Sequence, residues 1–576
     1  MQKYRIQIND RKYTKYDIFD ENNQIIENLA LCPIKSKLFS GDHFLYDPSS
    51  NSLAELLFSN VRNKTQYAGV LDLSQFVSKT KKGKPLYKCI PDDIRLPVFL
   101  IPYQPFIGFS KNSIDKYVLF HFDHWLYNHP YATLINTLGN IDDLSVFYEY
   151  QLYCKNLHIS IKNFTSETNK KIENQNKHDL LIKEIEKNPD YMIFNRKKTH
   201  HVFSIDPLGS LDFDDAFSIQ KISPSQIEIS VYIANVFLWL ENLNLWDSFS
   251  NRVSTIYLPD RKRPMLPTIL SDSLCSLQEG NTRFAFTMDI IYDKIQKKII
   301  GTPNFSNTAI QLYKNYIYDE SLLLKNPHYL ELLEITREVK SKGIEDSHDV
   351  VGYWMIYMNQ ACGQYMAENK IGIFRSVIHR ANEFPPPNIG HIGQNTRRVI
   401  DQWGNTAGQY IRFSENMIGH QIMNIASYIH ITSPIRRLVD LLNQIEITRH
   451  VGIIPKISTQ CIDFFEKWTG QIDYINQSMR LIRKVQEDCE ILCKCTSRPE
   501  LLDQEHKGIL FDKTKKNDGF YNYMVYLEDV GILSKIVTYE ELDEYTYMTF
   551  RLFLFKGEDK IKRKIRVAIC HQCKSL

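Results

Sequence analysis

The 576-residue chain has almost no excess of charge of either sign: 70 Lys and Arg stand against 67 Asp and Glu, a net charge of +3. A polyanion feels no whole-protein attraction to such a chain, so any nucleic-acid surface must be a local channel. Long apolar runs are missing too. The longest, near 94–109, is broken by Pro97, Pro102 and Pro105, and no transmembrane helix is predicted. The start, Met-Gln-Lys-Tyr-Arg, has no apolar signal region, and the eleven cysteines lack the dense, even framework of a small secreted domain. A soluble protein of a reducing intracellular compartment, cytoplasmic or nuclear, is the resulting expectation.

What the chain does have is aromatics, 33 Tyr and 31 Phe, enough for large cores with rings to spare for stacking on bases. Its length exceeds one compact core, which predicts two to four domains. Short strand-like runs separated by Gly, Asn and Lys-rich turns predict an N-terminal β-barrel region over 1–155. The polar stretch 156–200 reads as a linker with a surface helix, 201–500 as a mixed α/β core, and 501–576 as a further small barrel. Lysine clusters at Lys79, Lys81, Lys82, Lys84 and Lys88, and at Lys560, Lys562, Arg563, Lys564 and Arg566, are either basic RNA-facing patches or solvated faces.

Four aspartates, Asp206, Asp212, Asp214 and Asp215, fall between two strand-like apolar runs. Carboxylates this close raise one another's pKa unless a cation neutralises them, and hard oxygen ligands select Mg²⁺ or Mn²⁺. Pro207 and Gly209 supply a turn that can fold Asp206 back beside the others. Phosphodiester hydrolysis uses two such ions about 4 Å apart. A calcium loop and a solvated acidic turn are the alternatives, although an EF-hand lacks its closing Glu here. Further on, Ser433 and Pro434 read as the N-cap and first position of a helix with Leu438, Leu441, Leu442 and Ile445 on its apolar face. Arg436 and Arg437 would then sit in the first turn, where a phosphate is also attracted; an ordinary helix with an Arg436–Asp440 pair is the alternative.

At these residues the chain resembles the ribonuclease II/R (RNB domain) superfamily, and within it the eukaryotic exosome exonuclease subunits. Ser204 to Ala216 is similar to the superfamily's acidic signature at each carboxylate. Ser254 to Pro267, continued by Leu274-Cys275-Ser276-Leu277, and Tyr428 to Asp440 are similar to two further blocks in the same order. The resemblance implies a mixed α/β fold, an RNB-type core flanked by a cold-shock-like N-terminal and an S1-like C-terminal OB-fold barrel. It implies hydrolytic 3′→5′ removal of nucleotides from single-stranded RNA as 5′-monophosphates. Asp206, Asp212, Asp214 and Asp215 would hold Mg²⁺ (or Mn²⁺), Arg436 would grip the scissile phosphate, Tyr257 would stack on the 3′-terminal base, and Arg437 would join in substrate binding. Single-stranded RNA is the implied partner, with no membrane and, by analogy with the exosome, a protein complex.

The chain also departs from the pattern. Tyr232 and Asn235 stand where His and Asp are usual, and Asn443-Gln444-Ile445 replaces Val-His-Arg, which places RNA grip and rate in question and keeps a catalytically weakened RNA-binding member as the second reading. The later-helix acidic or amide position falls at Gln486 or Glu487. The first fifty residues are too few for a full additional cold-shock barrel and an endonuclease domain. Cys489, Cys493, Cys495, Cys570 and Cys573 offer a zinc-like spacing only at the last pair, so free thiols are expected.

Overall fold

In this computed structural model the described residues are 2–26, 29, 31–47, 52–105, 114–172, 175–340, 343–376, 392–406, 408–414, 427–516, 519–556 and 563–570. Residues 106–109 of the longest apolar run, Lys560, Lys562 and Cys573 lie outside them. Strands β1 (Gln2–Ile8), β2 (Tyr16–Phe19), β3 (His43–Asp47) and β4 (Ser52–Phe58) form an antiparallel sheet in the order β2-β1-β3-β4. Its first strand alternates as a half-buried strand must, with Tyr4, Ile6 and Ile8 inward and Lys3 and Gln7 in solvent.

A single turn, α1 (Asn60–Asn63), leads into a closed barrel of β5 (Tyr67–Lys79), β6 (Pro85–Pro91), β7 (Phe99–Pro102), β8 (Lys116–His124) and β9 (Tyr131–Asn140). Closure through the β7–β9 pairing leaves no free sheet edge there. Sheet and barrel share one apolar core, in which Phe39 packs on Phe99 and Trp125.

Helix α2 (Leu144–Cys154), capped by the Asp143 carboxylate, then carries the chain to the main core. The stretch 156–200, expected as a linker with a surface helix, carries more structure than that. It folds as α3 (Lys162–Lys171), α4 (Gln175–Lys187) and β10 (Ile193–Asn195), with Phe164 and Ile185 fully buried in the main core. Its polar composition belongs to the outer faces of helices that turn only a few apolar side chains inward.

The main sheet contains β10, β11 (Val202–Asp206), β12 (Asp215–Lys221) and β13 (Gln226–Ala234). After α5 (Val236–Asn242) and the short hairpin β14 (Ile256–Tyr257) and β15 (Lys262–Arg263) come its last strands, β16 (Thr282–Asp293) and β17 (Lys298–Ile317). The order is β10-β17-β11-β12-β13-β16, and β17 also pairs with β16. One twenty-residue strand thus runs along β16 with its first part and beside β11 with its last, so the sheet curls back on itself. Around it lie α6 (Pro327–Lys340), α7 (Ser347–Glu368), β18 (Ile373–Ser376), α8 (Gln394–Thr406), β19 (Gln409–Arg412), α9 (Leu438–His450), α10 (Thr459–Thr469) and α11 (Ile472–Ser497).

The C-terminal part is an antiparallel sheet of β20 (Glu505–Lys515), β21 (Tyr521–Leu527), β22 (Ile532–Thr538), β23 (Tyr547–Lys556) and β24 (Arg563–Ile569). Its order, β22-β21-β20-β23-β24, puts the first strand in the middle. Among the described residues no helix is long and apolar enough to cross a membrane.

Candidate active site

The aspartates sit where two neighbouring strands meet a turn. Asp206 ends β11 and Asp215 begins β12, and between them Ser210 N–H returns to the Pro207 carbonyl while Gly209 takes a left-handed φ of 83°. Ser276 fastens this loop from outside: its hydroxyl donates to the Leu211 carbonyl at 2.8 Å and accepts from Phe213 N–H at 3.0 Å. Asp206, Asp212, Asp214, Asp215, Tyr257, Arg436 and Arg437 all line a single cleft of about 850 Å³.

Within that cleft the carboxylates have different partners. Asp214, only 3% exposed, accepts Ile435 N–H and the Arg436 Nε, each at 3.0 Å. Asp212 takes the Tyr257 hydroxyl at 2.9 Å on one oxygen and the Lys262 ammonium at 3.0 Å on the other. Asp206 has a buried oxygen with no hydrogen-bond partner. Desolvation pushes the Asp214 carboxyl up to about 7, with Arg436 opposing the rise. It also raises Asp206 and Asp215, which repel one another. Among the described residues no three His, Cys, Asp or Glu side chains form a group that could hold a metal. The four aspartates share the cleft, and two of them, Asp212 and Asp214, face protein cations. A hard divalent ion would find its donors at Asp206, with its orphan oxygen, and at Asp215 in the same cleft.

The arginine segment differs from its sequence reading. Residues 434–436 form a turn, and α9 begins only at Leu438 with Arg437, in extended conformation, as its N-cap. Arg437 is held extended by a bridge to Ser254, so the helix cannot start earlier. The ion pair with Asp440 is consequently made by Arg437, at 2.8 Å, and not by Arg436. The Ser433 hydroxyl accepts from Arg436 Nη2, and Ser433 N–H donates to Asp440. Freed from the helix, the Arg436 side chain is 46% exposed to the cleft. Its carbonyl accepts Thr255 N–H and the Ser254 hydroxyl, which ties this turn to the hairpin that carries Tyr257.

The departures from the superfamily pattern lie elsewhere. Tyr232 is fully buried, with its hydroxyl 2.8 Å from that of Ser218. Asn235 caps α5 and donates to Asn307. Gln444 joins Phe237 N–H to the Ala234 carbonyl, and Asn443 bonds both backbone groups of Ile373. These are framework side chains, one phenol and three amides, absent from the cleft lining. Gln486, on α11, meets the site by accepting Tyr257 N–H at 3.4 Å.

Tyr318 and His348 also line the cleft, stacked with ring centroids 3.6 Å apart, and were not singled out in the sequence. Tyr318 is placed by the parallel β11–β17 register, through its N–H to the Asp206 carbonyl, and no local pattern announces a pairing so distant along the chain. Lys262 lies inside a quoted motif, yet its role shows only once the hairpin places it opposite Tyr257. Ten of the cysteines are free thiols, and the Cys570–Cys573 spacing reaches outside the described residues.

The sequence model of the RNB domain family matches residues 196–326 and 322–452, the stretch that holds all the cleft-lining residues named above. The chain carries an RNB domain. Among curated proteins it is 30% identical over 161 residues to ribonuclease R of Ureaplasma parvum, covering 26% of this chain and 22% of that one. It is 29% identical over 245 residues to DIS3-like exonuclease 2 of Schizosaccharomyces pombe, covering 40% and 25%. The chain spans less than half the length of these relatives. Two solved structures share this fold, each at 15% identity. Mycoplasma genitalium RNase R in complex with ribose methylated single-stranded RNA has a TM-score of 0.66, with 98% of this chain and 100% of that one covered. Yeast Ssd1, a pseudonuclease, has a TM-score of 0.58, covering 84% and 66%.

Proposed function

We propose that the protein is a Mg²⁺-dependent hydrolytic 3′→5′ exoribonuclease acting on single-stranded RNA. The observation that carries this reading is the convergence of Asp206, Asp212, Asp214, Asp215, Tyr257 and Arg436, drawn from separate parts of the chain, on one cleft. Tyr257 is 40% exposed and offers its ring to a terminal base. Arg436 keeps donors for a phosphate oxygen beyond those it gives Asp214 and Ser433. Asp206 and Asp215 would hold a divalent ion, and Mn²⁺ would also suit these oxygens. The ion supplies water activation at neutral pH and neutralises charge on the phosphate. Water adds to phosphorus, the P–O3′ bond breaks, and the proton passes to the departing O3′, so the released nucleotide keeps a 5′-phosphate. The enzyme relatives, ribonuclease R and DIS3-like exonuclease 2, support this reading.

A second reading, an RNA-binding protein with weakened catalysis, is favoured by one observation: Asp212 and Asp214 already face Lys262 and Arg436. 5′-labelled single-stranded RNA incubated with the protein and Mg²⁺ separates the two. A ladder shortening from the 3′ end, lost with EDTA and with Asp214→Asn, supports the exonuclease. Intact RNA that still shifts on a native gel refutes it in favour of the binder. Assembly into an exosome-like complex is part of the proposal, resting on the 32% identity over 130 residues to the mouse exosome complex exonuclease RRP44.

A further inference from the structure

The hairpin beside the aspartates contains an unusual pairing. Tyr257 on β14 and Lys262 on β15 stand directly opposite one another, and both reach the same carboxylate. The Tyr257 hydroxyl donates to Asp212 Oδ2 at 2.9 Å, and the Lys262 Nζ lies 3.0 Å from Asp212 Oδ1. The same ammonium lies 2.9 Å from Asp272 Oδ1, and its side chain is only 21% exposed. The hairpin is itself clamped: Arg263 pairs with Asp260 at 2.6 Å and with Glu149 of α2 at 3.1 Å. Lys262 therefore has little freedom to leave. A half-buried ammonium between two carboxylates supplies the counter-charge that a divalent ion would otherwise bring.

We propose that Lys262 is a positioning residue: shared between Asp212 and Asp272, it holds Asp212 as the acceptor for Tyr257 and keeps that carboxylate out of the metal sphere, so the cleft takes one divalent ion. This rests on the metal-dependent reading given above and narrows it, because the expected four-aspartate set shrinks to Asp206 and Asp215. The fixed cation also sets the base platform, since the carboxylate it holds orients the Tyr257 ring.

The test counts ions, independently of any nuclease activity. Free Mn²⁺ is followed by electron paramagnetic resonance while the full-length protein is titrated. The wild type is expected to bind one equivalent, and Asp215→Asn to lose it. Lys262→Met vacates a position between two carboxylates and is expected to take a second equivalent, whereas Lys262→Arg, which restores the cation, returns to one. Circular dichroism melts establish that each variant is folded; should Lys262→Met not fold, Asp272→Asn, which loosens the ammonium from its second partner, replaces it and is expected to weaken the one-ion limit. Two equivalents in the wild type, or one in folded Lys262→Met, overturn the role of Lys262 and leave the metal-dependent reading standing. No bound Mn²⁺ in the wild type overturns both.

Discussion

Gln444 stands where the superfamily pattern has a histidine, and the structure gives it a framework task that can be measured. Its side chain is fully buried; Oε1 accepts Phe237 N–H at 3.2 Å and Nε2 donates to the Ala234 carbonyl at 3.0 Å. Phe237 lies in the first turn of α5, where an N–H has no intrahelical acceptor. Gln444→Ala leaves that donor buried and unmet, costing about 2 kcal/mol, and the vacated space adds about 1 kcal/mol. At roughly 2 °C per kcal/mol for a domain of this size, the thermal midpoint should fall by about 6 °C. Fluorescence anisotropy with a labelled single-stranded RNA in EDTA should show unchanged affinity, because Gln444 does not line the cleft. An unchanged midpoint together with RNA binding weakened by roughly tenfold, about 1.4 kcal/mol, would refute the framework role and make Gln444 an RNA contact.

Tyr257→Ala removes the exposed ring and should weaken binding of short RNA in EDTA by about 1–3 kcal/mol, while Tyr257→Phe keeps the ring, gives up only the hydroxyl that Asp212 orients, and should lose less; equal losses in both would contradict stacking. Gly363→Ala would set a Cβ 2.9 Å from the Ser427 carbonyl oxygen, pushing α7 off the segment that leads to Thr432, and should cost about 1–3 kcal/mol in denaturant unfolding. Glu149 is held down at about 2, first by its hydrogen bond with His158 and then by Arg263. Because its folded pKa is depressed, its contribution is present above the ordinary carboxylate value and is lost as pH falls from about 4.5 towards 2. The gap between wild-type and Glu149→Gln melting midpoints should therefore narrow over that window, and a gap that widens on acidification would contradict the sign.

The strands and the acidic loop were legible because their signals are local. Alternation in β1, the apolar runs around Asp206 and Asp215, and the Pro207–Gly209 turn need only neighbours in sequence. The helical reading of Ser433 failed because Pro at a first helical position is a preference, whereas the bridge from Arg437 to Ser254 is a contact 183 residues away in the chain. Residues 156–200 read as a linker because two or three apolar side chains per helix suffice once a partner core exists, and the sequence does not display the partner. The candidate site was legible as a set of residues, but their pairing was not. That Asp212 faces Lys262 and Asp214 faces Arg436 depends on where β15 and the 434–436 turn come to rest.

The central claim is hydrolysis in this cleft, and mass spectrometry of the released products tests it most directly. Short single-stranded RNA quenched at early times with the Mg²⁺-loaded protein should yield nucleoside 5′-monophosphates and RNA shortened from its 3′ end, with neither formed by Asp214→Asn. Intact RNA, or products bearing 3′-phosphates, would contradict the account.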